Sequence, residues 1–130
     1  IDKSSADAVI GVLEQDETVM DKNWNKRYRD NMEKMKSGDI YEIADVVRNL
    51  SFKQKEKGLS TGEKKMLNNA KQILVSELVL AEHSSKEEIE ELIDNKINTS
   101  FMMFRSEEVQ PQNIVNKFIP FDSTSTGTEK

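Results

Sequence analysis

Between residues 4 and 97 the chain repeatedly sets a Ser, Asp or Asn before apolar residues three and four apart, and nothing there alternates with the period of two that a strand requires. That pattern restricts the chain to helices. Ser4 or Ser5 serves as a first cap ahead of Ala6, Val9, Val12 and Leu13. Asp21 or Asn23 precedes Trp24, Tyr28, Met32 and Met35, and Ser37-Gly38 stops that helix. Asp39 opens a third, with Ile40, Ile43, Ala44, Val47 and Leu50 on one face and Gly58 as its terminator. Ser60-Thr61-Gly62-Glu63 has the form of a capping box, in which the Ser hydroxyl accepts from the Glu amide while the Glu carboxylate reaches back. The helix it opens carries Met66, Leu67, Ala70, Ile73, Leu74 and Leu78 to about Ala81, and its wide stripe marks it as the expected centre of the core. Ser84 or Ser85, with Glu87 or Glu88, starts a fifth bearing Ile89, Leu92, Ile93 and Ile97. No repeat of 30 to 50 residues runs through these segments, so a compact all-α bundle of about five helices over residues 1–98 is expected rather than a solenoid.

Residues 99–130 read differently. They hold both prolines, Pro111 and Pro120, and all but one of the phenylalanines, and they form an expected irregular tail. Phe101-Met102-Met103-Phe104 and Phe118-Ile119-Pro120-Phe121 fit short strands, docking segments or adhesive disorder, and the sequence leaves these open. The run of Ser, Thr and Gly over 123–128 reads as disordered.

The residues for most chemistry are missing. With no Cys among 130 residues there is no disulfide framework, thiolate zinc site, iron–sulfur cluster or thiol nucleophile, which fits a reducing, cytoplasmic setting. His83, the single His, sits where a helix ends and is expected to be a surface residue favoured by the C-terminal dipole. Glu87, Glu88, Glu90 and Glu91 form a solvated helix face rather than an acid/base pair. Calcium-loop, phosphate-loop and nucleophile-elbow patterns do not occur, and no apolar run approaches the roughly 20 residues of a membrane span. Neither enzyme activity nor a metal or cofactor is expected. The start at Ile1, without Met or signal pattern, reads as a fragment of a longer protein.

A net charge of -5 argues against binding a polyanion, but the charge is unevenly distributed. Residues 1–21 hold six acids against Lys3, and residues 82–98 hold six against Lys86 and Lys96. Residues 22–36 hold six cations against Asp30 and Glu33, and residues 53–71 hold six lysines against Glu56 and Glu63. Folding that sets these two basic islands side by side gives an acidic protein one basic face.

Asn23-Trp24-Asn25-Lys26-Arg27-Tyr28-Arg29 places the single Trp at a helix start with three cations in the next five residues. An indole there fills a core as part of the Tyr28, Met32, Met35 stripe, or stays exposed and wedges between bases while the cations hold phosphates. Lys64 and Lys65 read either as an ordinary solvated first turn of the fourth helix or, because cations at a helix start oppose the dipole, as residues placed there for something other than stability.

These residues, with 31–39 (Asn31-Met32-Glu33-Lys34-Met35-Lys36-Ser37-Gly38-Asp39), 44–50 (Ala44-Asp45-Val46-Val47-Arg48-Asn49-Leu50), 57–60, 62–67 (Gly62-Glu63-Lys64-Lys65-Met66-Leu67) and 70–78, resemble the C-terminal helical domain of the CarD/CdnL bacterial transcription regulators. The likeness is nearly continuous over residues 10–82. It implies a non-enzymatic factor that stabilises the RNA polymerase–promoter open complex. A separate Tudor-like N-terminal domain would bind the polymerase β subunit, and the helical domain would touch promoter DNA at the upstream edge of the bubble.

Carried over by position, Trp24 would be the minor-groove wedge, and Lys26, Arg27, Arg29 and Lys64 phosphate contacts, with Lys65 beside them. Lys26 stands where many members have Arg, giving a point charge in place of a planar fork. The polymerase-binding domain is not in this sequence, and residues 99–130 match nothing associated with the family. The rival reading is a helical protein-interaction module whose basic islands meet an acidic partner and whose Trp24 is the anchor.

Overall fold

A computed structural model describes the backbone of residues 1–113 and the side chains of residues 1–105; Phe118-Ile119-Pro120-Phe121 and the 123–128 run lie outside the described residues. Five helices follow in order, α1 (Lys3–Leu13), α2 (Trp24–Ser37), α3 (Ile40–Glu56), α4 (Thr61–Glu82) and α5 (Lys86–Asn113), and the described residues contain no strand. The all-α bundle is as expected. The chain divides into two units, residues 1–100 and 101–130.

Local signals explain most boundaries. Asn23, Asp39 and Ser60 each accept from a backbone N–H in the turn they cap, and the Ser60–Glu63 capping box is complete in both directions. α1 is capped by Asp2 rather than Ser4 or Ser5, two or three residues earlier than the apolar pattern indicates: its carboxylate accepts from Ser5 N at 2.7 Å. Gly38 and Gly58, at φ +73° and +86°, occupy the left-handed region that ends α2 and α3 at little cost only for glycine.

Residues 99–113, expected to be irregular, continue α5. No Gly or Pro interrupts residues 86–110, so nothing in that stretch opposes helix propagation. In the first unit, Ile89, Ile93 and Ile97 are buried, and Ser100 Oγ donates within 3.0 Å of Leu13 O.

The centre of the core is α3, not α4. Every residue of α3 from Ile43 to Phe52 is buried, and α3 packs against α1, α2 and α4. Asp45, Arg48 and Asn49 make α3 look half polar in sequence, but their groups are satisfied internally. Arg48 is fully buried; it donates to Val12 O at 2.8 Å, to Asn49 Oδ1 and to Asp45, whose other oxygen accepts from Lys34. Asn49 returns a bond to Thr18 Oγ1 at 2.7 Å and accepts from Thr18 N at 3.1 Å. This network fastens the connection between α1 and α2 onto α3 and so sets where α2 begins. On α4, Ile73 lies outside the buried arc at 40% exposure, because the expected stripe is wider than the face its neighbours cover.

Candidate nucleic-acid interface

The inward face of α2 is polar. Its buried residues are Arg27 and Asn31, whereas Trp24 is exposed and Tyr28, Met32 and Met35 are only partly covered. The stripe expected from the spacing of four, four and three is therefore the flank of the helix. The reason is a specific partner: Arg27 Nε donates to Glu63 Oε2 at 2.8 Å, and its Nη1 donates to Asp21 O and Lys22 O at 3.2 and 3.1 Å. Arg27 keeps 7% of its surface and Glu63 1%. The expectation that Arg27 contacts phosphate is corrected here, since its guanidinium is turned inward and spent on holding the start of α2 to the start of α4.

Glu63 is the hub of that joint. It accepts from Arg27 and from Ser60 N, and Lys53 Nζ stands 3.8 Å away. Burial raises the pKa of its carboxyl, but the Arg27 and Ser60 hydrogen bonds and the charges of Arg27 and Lys53 outweigh burial and hold it below its ordinary value of 4.5. Lys53 also donates to Gly58 O at 3.0 Å, so it, like Lys34, is drawn out of its basic island into the fold.

Once the two helix starts are joined, the aromatic pair falls into place. Trp24 is the first residue of α2 and projects over the first turn of α4, where its indole N–H donates to Ser60 Oγ at 3.0 Å. Its ring stacks on Tyr28 with centroids 4.9 Å apart and planes 17° from parallel. Gly62 lies beneath them: a Cβ there would stand 3.3 Å from Tyr28 Cε1. Trp24 remains 41% exposed, so it is not the core residue that its stripe allowed.

Lys26, Arg29, Lys64 and Lys65 are all exposed. Lys26 makes an i, i+4 pair with Asp30 at 3.1 Å, open to water and displaced at little cost. Among the described residues no ion pair engages Arg29, Lys64 or Lys65. Lys26 and Arg29 follow Trp24 along α2, and Lys64 and Lys65 follow Gly62 along α4, so each of the two joined helix starts carries exposed cations from one basic island. Sequence reasoning gave Ser60 and Glu63 only a capping role and assigned none to Gly62. A glycine within the first turn of an otherwise strong helix is the signal that a close neighbour had to be admitted.

Elsewhere the chemistry is sparse. His83 is exposed and ends α4 with a left-handed backbone at φ 54°, its N–H donating to Val79 O. Glu87, Glu88, Glu90 and Glu91 are exposed on α5, and no cluster of metal-ligating side chains occurs among the described residues. No helix among the described residues is long and apolar enough to cross a membrane.

The chain is similar to YdeB of Bacillus subtilis (strain 168), which carries the name of a transcription factor, at 46% identity over 66 residues. That alignment covers 51% of this chain and 43% of YdeB, so the chain spans less than half the length of this relative. Residues 8–94, a span that contains the Trp24 site, the Arg27–Glu63 joint and all of α2, α3 and α4, match the family described as the CarD C-terminal domain; the chain belongs to that family.

Proposed function

We propose that this chain is the DNA-contacting part of a CarD-like transcription regulator that stabilises the RNA polymerase–promoter open complex. In this reading Trp24 enters the minor groove at the upstream edge of the bubble, while Lys26, Arg29, Lys64 and Lys65 hold phosphates on either side. The family membership supports the regulatory role, and the polymerase β subunit would be engaged by a domain outside these residues. One observation carries the DNA reading: the only Trp of the chain stands 41% exposed at the junction of two helix starts, with exposed cations on both helices and Glu63, the acid next to Lys64, drawn inward. An indole so placed is open on its outer edge, and insertion at a step already unstacked avoids part of the unstacking cost, a few kcal/mol per step. No row of Arg, Asn and Gln lines the site for base edges, so shape and phosphate contacts would dominate over sequence.

The test is a titration of Trp24 fluorescence with a forked promoter duplex and with the intact duplex of the same sequence. Quenching that is tighter for the fork and weakens with salt supports the proposal. Silence with both DNAs, together with a response to a protein partner, favours the interaction-module reading instead.

A further inference from the structure

Trp24 is held from three sides. Ser60 accepts its N–H at 3.0 Å, Tyr28 stacks on its face, and Gly62 leaves the floor bare, where a Cβ would lie 3.3 Å from Tyr28 Cε1 and 3.7 Å from Trp24 Cζ2. None of these is needed for α4 to form. Ser60 already caps the helix through Glu63 N and donates to Glu63 Oε1, so the bond to the indole is a further use of the same hydroxyl. Gly62 weakens a helix turn relative to Ala, and the ring pair lying against it accounts for its presence.

Resting on the DNA-wedge reading, we propose that Ser60, Tyr28 and Gly62 are positioning residues that fix the orientation of Trp24 before DNA arrives. A half-exposed indole without such restraint samples several rotamers and loses that freedom on insertion, which weakens binding. With the ring held in advance, that loss is met when the protein folds, and the difference between a frayed and an intact step is read in full. The Arg27–Glu63 pair acts one step further back, because it fixes α2 relative to the residue that receives the indole.

Because the chain has one Trp, its mobility can be read directly in the free protein. Acrylamide quenching and fluorescence anisotropy of Trp24 are measured in the wild type, Ser60→Gly, Ser60→Thr and Gly62→Ala, alongside affinity for forked and intact duplex. Gly at an N-cap costs a helix only a few tenths of a kcal/mol, so Ser60→Gly removes the indole acceptor with little loss of the cap. In Ser60→Gly quenching rises, anisotropy falls and the preference for the fork drops by about fivefold, the scale of one hydrogen bond. Ser60→Thr restores all three. Gly62→Ala leaves the cap intact and improves helix propensity, yet loosens the ring pair in the same way, which keeps the test open if Ser60→Gly folds poorly. Unchanged quenching and anisotropy in both Ser60→Gly and Gly62→Ala overturn the positioning role. So does altered mobility with an undiminished fork preference. If Trp24→Ala itself retains the fork preference, the wedge reading falls first, and the purpose assigned to Ser60 falls with it.

Discussion

Replacing Arg27 by Ala separates two roles that the same residue could have had. As a surface phosphate contact, Arg27 would be dispensable for folding and its loss would flatten the salt dependence of DNA binding. As placed, its side chain is 8% exposed and that of Glu63 2%, with 2.8 Å between Nε and Oε2. Removing one member of such a pair strands a buried charge, and the expected cost is about 3–5 kcal/mol, against within about 0.5 kcal/mol for Arg29→Ala on the surface. In a unit of 100 residues the larger figure lowers Tm by more than about 12 °C, at 4–8 °C per kcal/mol.

The pH dependence gives a second handle. Because the folded pKa of Glu63 lies below its ordinary 4.5, the stability the pair contributes is complete above that value and is lost as pH falls through the folded pKa. Glu63→Gln keeps the shape and removes the charge. Its stability gap to the wild type is therefore widest near neutral pH and narrows below about pH 4.5. Urea unfolding from pH 3 to 7 measures both effects. An Arg27→Ala protein as stable as the wild type, with a flattened salt slope, would falsify the placement of Arg27 inside the fold.

Further outcomes follow from the same geometry. Trp24→Ala leaves a cooperative thermal melt within a few degrees of the wild type, since the ring is outside the core, and abolishes the preference for forked over intact duplex in titrations. With Arg27 withdrawn, four exposed cations remain, so log affinity against log salt has a slope of roughly -3.6, and Ala at Arg29, Lys64 or Lys65 flattens it by about 0.9 each. Arg27→Lys, which keeps the charge but not the fork, leaves that slope unchanged and still destabilises. Asn49→Ala leaves Thr18 and Arg48 with unsatisfied groups; a loss of about 1–3 kcal/mol in urea unfolding is expected, with amide exchange fastest in the 14–23 connection.

The helices were largely legible because their signals are local. Asn23, Asp39, the Ser60–Glu63 box and Gly58 each act within one turn of themselves, and one sequence is enough to see them. What escaped depends on partners far along the chain. Arg27 reads as a surface cation until Glu63, 36 residues on, is set beside it. Asp45, Arg48 and Asn49 lower the apparent hydrophobicity of α3 and so hid the true centre of the core, because hydropathy counts a polar group as exposed whether or not the fold satisfies it. The Trp24 site was half visible. Its aromatic and cationic residues stand together in sequence, but Ser60 and Gly62, which receive the ring, are two helices away. The continuation of α5 beyond residue 98 is illegible for a different reason: the prolines and phenylalanines of the tail mark a change of composition, yet no Gly or Pro before Pro111 breaks the helix.

The first turn of α4 has a mechanical meaning in the proposed role. A ring that pries between bases is pushed back with equal force, and here the push enters through Ser60 and Gly62 at the capped end of a 22-residue helix. At 1.5 Å per residue that helix is a strut about 33 Å long, braced by α3 along its buried face. Recoil at the ring is thus spread over the whole first unit instead of bending one side chain. Softening the brace at Leu74, fully buried midway along the strut, blunts the wedge without altering any atom that meets DNA.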